Sequence, residues 1–318
     1  MTSPLLDAER DRLAERRLSV LDTGWERHPY FVREKFEGTV VAGPESGDTA
    51  VDEDGHGTCE SANVFAVAPG ITFTMVKAGR TNLIAAFDTA VNQQDRPHII
   101  SISLGYQVKY QQDFTAADQV LAESIALAVR AGIVVVCAAG NGHHAFPGQH
   151  PDVISVGGVH FDDDGEAEAS DYASGYTSGI YPGRVVPDVC GLVGMQPGAS
   201  YIMLPAPPGS AIDRRRAQPP DRTGDGTGPE DGWVVASGTS AAAPQVAGVC
   251  ALLRQADPSL TPNGIREVLQ RSARDVVKGA SNARTGGRAD EGPDDATGYG
   301  LVRADVALPY VWPRGARG

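Results

Sequence analysis

The chain is poor in cysteine, with four in 318 residues: Cys59, Cys137, Cys190 and Cys250. None is spaced as a CxxC pair, which excludes zinc ribbons and fingers that need two such pairs. Cys137 and Cys250 lie inside apolar runs, so buried free thiols of a reducing compartment are expected. Positive charge is also in deficit: 27 Lys and Arg stand against 40 Asp and Glu, a net charge of −13. A chain without a basic excess is not built to follow a phosphate backbone, so a nucleic-acid partner is not expected. Long apolar runs are missing too. Crossing a bilayer takes about 18–20 apolar residues, and the stretch from Ala131 to Gly140 falls well short. The opening MTSPLLDAERDRLAERRL is charged along its length and lacks the apolar core of a secretory signal. These absences together predict a soluble, cytoplasmic protein with no membrane partner, and they leave its oligomeric state open.

What is present is a regular alternation. Short β-branched runs at Leu18–Leu21, Ile71–Val76, Ile99–Leu104, Ile133–Ala138 and Val153–Val159 read as strands. Helical spacing fills Asn82–Asn92, Ala116–Ala131, a segment starting near Ser240, and Pro262–Ser272. Near-continuous apolar strands alternating with helices predict an α/β fold with a mainly parallel sheet covered on both faces. No shift in composition marks a second core. The expected organisation is an N-terminal arm over 1–17, one domain over 18–308 and a tail over 309–318. Residues 194–232, rich in Pro, Gly, Asp and Arg, read as a long loop insertion that is a lid, a docking site or a neutral surface excursion.

The stretch SGTSAAAP (237–244) sits directly before the apolar helical run QVAGVCALL. Ser and Thr oxygens there can cap the free N–H groups of the first turn. The same place suits a nucleophile, because the helix dipole and those N–H groups stabilise negative charge. Pro244 reads as a first-turn proline, where no N–H is needed. Function in an open parallel sheet gathers at the carboxyl ends of its strands. There the chain places Asp22-Thr23-Gly24 after LSVL and Gly140-Asn141-Gly142 after IVVVCAA. Asp54-Gly55-His56-Gly57-Thr58 opens a further short helix. Singly, these are strand-end turns, loops and caps. Together they are the parts of acyl transfer: a Ser nucleophile, a His base, an Asp to orient it and an amide to face the oxyanion.

The chain resembles the subtilisin-like serine peptidases, the subtilases. VLDTG (20–24), DGHGT (54–58), VAPG (67–70), SISLG (101–105), VVVCAAGN (134–141), FPGQHPDVISVGGV (146–159), VVPDVCG (185–191), SGTSAAAPQVAGVCALL (237–253) and GYGLVRADVAL (298–308) carry the likeness in family order. The resemblance implies a three-layer α/β sandwich and a serine endopeptidase acting on a peptide or protein through an acyl-enzyme. It implies Asp22, His56 and Ser240 as the triad. Asn141 and the Ser240 N–H would form the oxyanion hole. Ser103, Leu104 and Gly105 would border an extended substrate, with Arg80 in the opposite edge.

Several departures from the pattern shape the finer expectation. The interval from His56 to Val67 leaves no room for the family's common calcium-site insertion, so no cofactor or metal is expected. The acidic clusters Asp162–Asp164 and Asp290–Asp295 read as exposed turns, and His143, His144 and His150 lack the helical spacing of a metal pair. Cys59, three residues after His56, reads as a buried inert thiol. Tyr106 is expected to narrow the cleft, and Arg80 to favour an acidic substrate residue. Only 21 residues precede Asp22, and no folding pro-segment is visible there. The function expected is selective intracellular processing of a peptide or protein. The alternative is a catalytically silent or occluded relative that binds peptides or proteins. An α/β-hydrolase esterase fits less well, since Ala242 stands where that fold places a glycine after its serine.

Overall fold

The computed structural model describes residues 13–78, 82–195, 201–217 and 224–311. Along the chain come β1 (Arg17–Asp22), α1 (Pro29–Glu34), β2 (Gly38–Ala42), α2 (His56–Val67), β3 (Thr72–Lys77), α3 (Leu83–Val91), β4 (Ile99–Ile102) and β5 (Tyr106–Gln107). Then follow α4 (Ala116–Arg130), β6 (Val134–Ala138), β7 (Ala145–Phe146), β8 (Ile154–Phe161), β9 (Ala167–Ala169), β10 (Tyr176–Thr177), β11 (Val185–Val186) and β12 (Val189–Leu192). The last are β13 (Ile202–Pro205), α5 (Ala211–Ala217), β14 (Trp233–Ala236), α6 (Thr239–Ala256), α7 (Pro262–Ser272) and α8 (Ala304–Val311).

The central sheet has the order β2-β3-β1-β4-β6-β8-β12, all parallel, with β9 running antiparallel beside β8. Side chains alternate across its two faces, as the period of two demands. On β1, Leu18 and Val20 face one core while Leu21 faces the other. Ile99 and Ile100, and Val134 and Val135, divide in the same way. The first core lies under α2, α6, α7 and α8, and the second under α3 and α4. The result is the three-layer α/β sandwich expected of the strand and helix pattern. The direction of winding changes at β1, because β2 and β3 build out to one side and β4 onward to the other. The crevice at the carboxyl ends of β1 and β4 is the natural site in such a sheet.

Helices α2 and α6 meet with almost no side chain between them. A Cβ at Gly248 would come within 2.8 Å of the Val67 Cβ, so even alanine would push the two helices apart.

Three expectations need correction. Residues 194–232 are no structureless loop. They contain β13, which pairs antiparallel with β14, and helix α5. The backbone N–H groups of Ala211 and Ile212 bond to the carbonyls of Glu53 and Asp54, so this insertion braces the segment leading into His56. A turn signal rich in Gly and Pro marked its ends and hid the four-residue strand within. The tail starting at 309 is also too early, because α8 continues to Val311 around Pro309. Pro244 is the sixth residue of α6, beyond the first turn, so a helical N–H is missing there. Most of the N-terminal arm, residues 1–12, and the last residues, 312–318, lie outside the described residues.

Candidate active site

Asp22 closes β1 and is fully buried. Its Oδ1 accepts the Thr23 N–H at 2.8 Å and faces His56 Nδ1 at 2.8 Å. His56 is the first residue of α2, carried to Asp22 by a helix terminus pressed onto the strand end. That contact requires glycine next door. A Cβ on Gly57 would lie 2.2 Å from the Gly24 carbonyl oxygen and 3.1 Å from the Asp22 Cβ, which would lever the histidine away.

A second buried carboxylate, Asp52, stitches the same two elements together. Asp52 Oδ1 accepts from Thr23 Oγ1 at 2.8 Å and Gly55 N at 3.0 Å. Asp52 Oδ2 accepts from the Thr58 backbone N–H at 2.9 Å and its hydroxyl at 2.7 Å. Thr23 Oγ1 in turn accepts from Gly57 N at 2.9 Å. Sequence reasoning missed Asp52. Its signal was slight: an aspartate four residues before the histidine, in a run of acidic residues that reads as a solvated turn.

Ser240 is the second residue of α6, and its N–H has no helical acceptor four residues back. The Ser240 hydroxyl donates to the carbonyl oxygen of Ser103 at 3.2 Å rather than to His56. The Ser103 hydroxyl donates in return to the Ser240 carbonyl at 2.9 Å. This second bond answers a need created by Pro244, which has no N–H to offer that carbonyl. Asn141, in the loop after β6, is held by its oxygen: Oδ1 accepts the Thr239 N–H at 3.0 Å and the Thr239 hydroxyl at 3.2 Å. The amide NH₂ is the end left for the cleft.

Asp54, His56, Ser103, Asn141, Arg215 and Ser240 line a cleft of about 300 Å³, along with Leu104 and Gly105. Three of the four residues expected to act together, His56, Asn141 and Ser240, therefore line one opening, with Asp22 buried behind His56, and the Ser103–Gly105 edge borders it. Tyr106 does not narrow the cleft. Its ring packs edge-on against Phe146, and its hydroxyl donates to Asp118 on α4. The cause is pairing of β5 with β7, which sets Tyr106 opposite Phe146. Arg80 lies outside the described residues. Arg215 stands in the cleft wall instead, supplied by α5, which sequence reading took for loop.

Cys59 is buried in the core beneath α2, and burial holds its thiol well above the ordinary range. Burial opposes charging of His56, but the attraction and hydrogen bond of Asp22, followed by the charges of Glu60 and Asp54, outweigh it. The imidazole is thereby held well above its ordinary value of 6.5. No group of three or more His, Cys, Asp or Glu converges as a metal site among the described residues. The two acidic clusters staple their own turns. Asp162 accepts from the N–H groups of Asp164 and Glu166, and Asp294 from those of Ala296 and Thr297.

The family model described as the subtilase family matches residues 16–300. The chain belongs to the subtilase family. The serine protease AprX of Bacillus subtilis (strain 168) is 28% identical over 327 residues, covering 92% of this chain and 66% of its own length. An intracellular serine protease of Paenibacillus polymyxa is 26% identical over 266 residues, covering 75% and 66%. This subtilase thus spans about two thirds of the length of either relative. A crystal structure of a lanthipeptide protease superimposes with a TM-score of 0.65 at 20% identity, covering 93% of this chain and 88% of that one. That likeness shows the fold. No described helix of this subtilase is long and apolar enough to cross a membrane.

Proposed function

We propose that this subtilase is a serine endopeptidase that processes a selected peptide or protein inside the cell. The observation that carries the reading is convergence. His56, Asn141 and Ser240 come from three separate segments and line one cleft, and Asp22, from a fourth, backs His56. In the proposed reaction His56 takes the proton from Ser240 Oγ as that oxygen attacks a peptide carbonyl. The Asn141 NH₂ and the Ser240 N–H receive the oxyanion, and the amine leaves with the proton from His56. A water, deprotonated by the same imidazole, then cleaves the ester and restores Ser240.

Selectivity is supported by the braced insertion that brings Arg215 into the cleft wall. A peptide substrate is in keeping with the solved lanthipeptide protease among its structural neighbours, and the cellular setting with the relative named intracellular. A second reading, an occluded or silent peptide-binding relative, draws on one observation: the Ser240 hydroxyl is bonded to Ser103, not to His56. Labelling with a fluorophosphonate separates the two. Reaction of wild type and none of Ser240→Ala supports the peptidase. No reaction of well-folded wild type at any pH removes it in favour of the silent relative.

A further inference from the structure

Glu60 stands one helical turn after His56 and is 3% exposed. The acyl-transfer scheme gives it no task. Its Oε2 accepts from Asn63 Nδ2 at 3.0 Å, and its Oε1 lies 3.5 Å from His56 Nε2. Burying a carboxylate costs heavily unless a charge or donors answer it. Among the described residues, the cationic partner it touches is the imidazole. Nε2 is also the atom that must take the proton from Ser240. In this structure both ends of that transfer are engaged elsewhere, Nε2 toward Glu60 and Ser240 Oγ toward the Ser103 carbonyl.

We propose that Glu60 is a second carboxylate partner of His56, a positioning residue that holds the Nε2 edge in the resting cleft and sets when that edge is released to Ser240. The proposal rests on the reading of His56 as the general base. At 3.5 Å the contact is an ion pair rather than a short hydrogen bond, so the ring is poised rather than locked. A substrate strand pairing along Ser103–Gly105 competes for the Ser103 carbonyl and frees the serine hydroxyl. Loss of the proton on Nε2 frees the imidazole.

The surroundings favour keeping that proton. Asp22 faces the ring from β1, and Asp54 adds its charge from the preceding loop. Burial pushes the Glu60 carboxyl up to about 7 against the pull of His56, and Asp22 adds to the rise. Asn63 and, through it, Gln245 of α6 are neutral donors. Burial keeps the Cys59 thiol protonated, and the charge of Arg216 on α5 reaches that thiol. With Glu60 ionised, the imidazolium is bracketed by two anions, and the base becomes available at a higher pH than Asp22 alone would set.

The test is the rate of fluorophosphonate labelling against pH, run on wild type, Glu60→Gln, His56→Ala and Ser240→Ala. Glutamine keeps the shape and the Asn63 bond and removes the charge. The acid limb of Glu60→Gln is expected to move down by about one pH unit or more, since a lost opposite charge within 4–6 Å has that effect. Its alkaline plateau is expected within about threefold of wild type, as for a group that acts through another. Glu60→Asp, which keeps the charge on a shorter stem, should fall between. Coincident profiles for wild type and Glu60→Gln, with His56→Ala inert, overturn the role of Glu60 and leave the peptidase reading intact. Labelling that survives in His56→Ala overturns the peptidase reading itself. The ring titration of His56, followed by NMR on protein carrying ¹³C-histidine, needs no activity. Its midpoint should lie well above 6.5 in wild type and drop in Glu60→Gln. A wild-type midpoint at or below 6.5 overturns the proposal even if no Glu60 variant folds.

Discussion

The sharpest consequence of the site geometry concerns Asn141. Its side-chain oxygen is committed to Thr239, through the backbone N–H at 3.0 Å and the hydroxyl at 3.2 Å. That commitment fixes which way the amide points and presents NH₂ to the cleft beside Ser240. Asn141→Ala therefore removes two things: a donor to the developing oxyanion and an acceptor at the start of α6. The first loss is expected to lower kcat by about 10²–10³, equivalent to about 3–4 kcal/mol of transition-state stabilisation. The second costs about 2 kcal/mol of stability, the net worth of two hydrogen bonds at about 1 kcal/mol each. Asn141→Asp separates them, because it keeps an oxygen for Thr239 while placing negative charge where the oxyanion forms. Both variants should lose kcat, with KM changed little, because the donor acts on charge absent from the ground state. Only Asn141→Ala should show a lowered unfolding midpoint. The assay is steady-state cleavage of a peptide found by substrate profiling, with denaturant unfolding alongside. Full kcat in Asn141→Asp would refute the reasoning and reduce Asn141 to a helix-start bracket.

The bond from Ser103 Oγ to the Ser240 carbonyl exists because Pro244 cannot donate there. Ser103→Ala should destabilise by about 1 kcal/mol in wild type and by much less in a Pro244→Ala background, where a helical N–H is restored. An equal cost in both backgrounds, measured by urea unfolding, would disprove the link. His150 is 4% exposed, and burial holds its imidazole down to about 4. Its folded value is below the unfolded 6.5, so the stability it contributes is fully present above pH 6.5 and is lost as pH falls toward 4. The shift bounds the loss at roughly 3 kcal/mol. His150→Asn keeps an acceptor for the Asp152 N–H that His150 Nδ1 now receives at 3.1 Å. It should flatten that part of the pH–stability curve. His98, also held down to about 4, should retain its own share. An unchanged slope in His150→Asn would show that the ring is already charged in the fold.

Much of the fold was legible because it rests on local patterns. The run Val134–Ala138 is β-branched and buried on both faces, and only a covered parallel strand accommodates that. The helix over Ala116–Arg130 announced itself by spacing, and the structure adds a reciprocal cap at its start, where the Thr115 hydroxyl accepts from the Asp118 N–H. The insertion was not legible for the opposite reason. Its strand β13 is short and gains its partner β14 only after the chain has passed through α5. Helix α5 carries three consecutive arginines, and its apolar Ile212 finds a place against the backbone at Asp54 and Gly55. Neither element has a periodic signal long enough to be seen without its neighbours.

The site divides along the same line. Asp22, His56, Asn141 and Ser240 were visible because each stands at the edge of a regular element within two residues of a glycine, and chemistry assigns that set of groups a joint task. The residues that tune them were not. Asp52 and Glu60 look in sequence like acids on a solvated surface, and an aspartate or glutamate is buried only where donors or a cation wait for it. Four donors wait for Asp52, and the Asn63 amide and an imidazole for Glu60. Of those partners Thr23, which bonds Asp52, stands at the end of β1, and Gly57 is what lets helix and strand bring Asp22, Thr23 and Asp52 together around His56. The same contact that assembles the catalytic pair thus also creates the environment that sets its proton affinity. A substitution at Gly57 should therefore disturb the Asp22–His56 bond and the acid limb together.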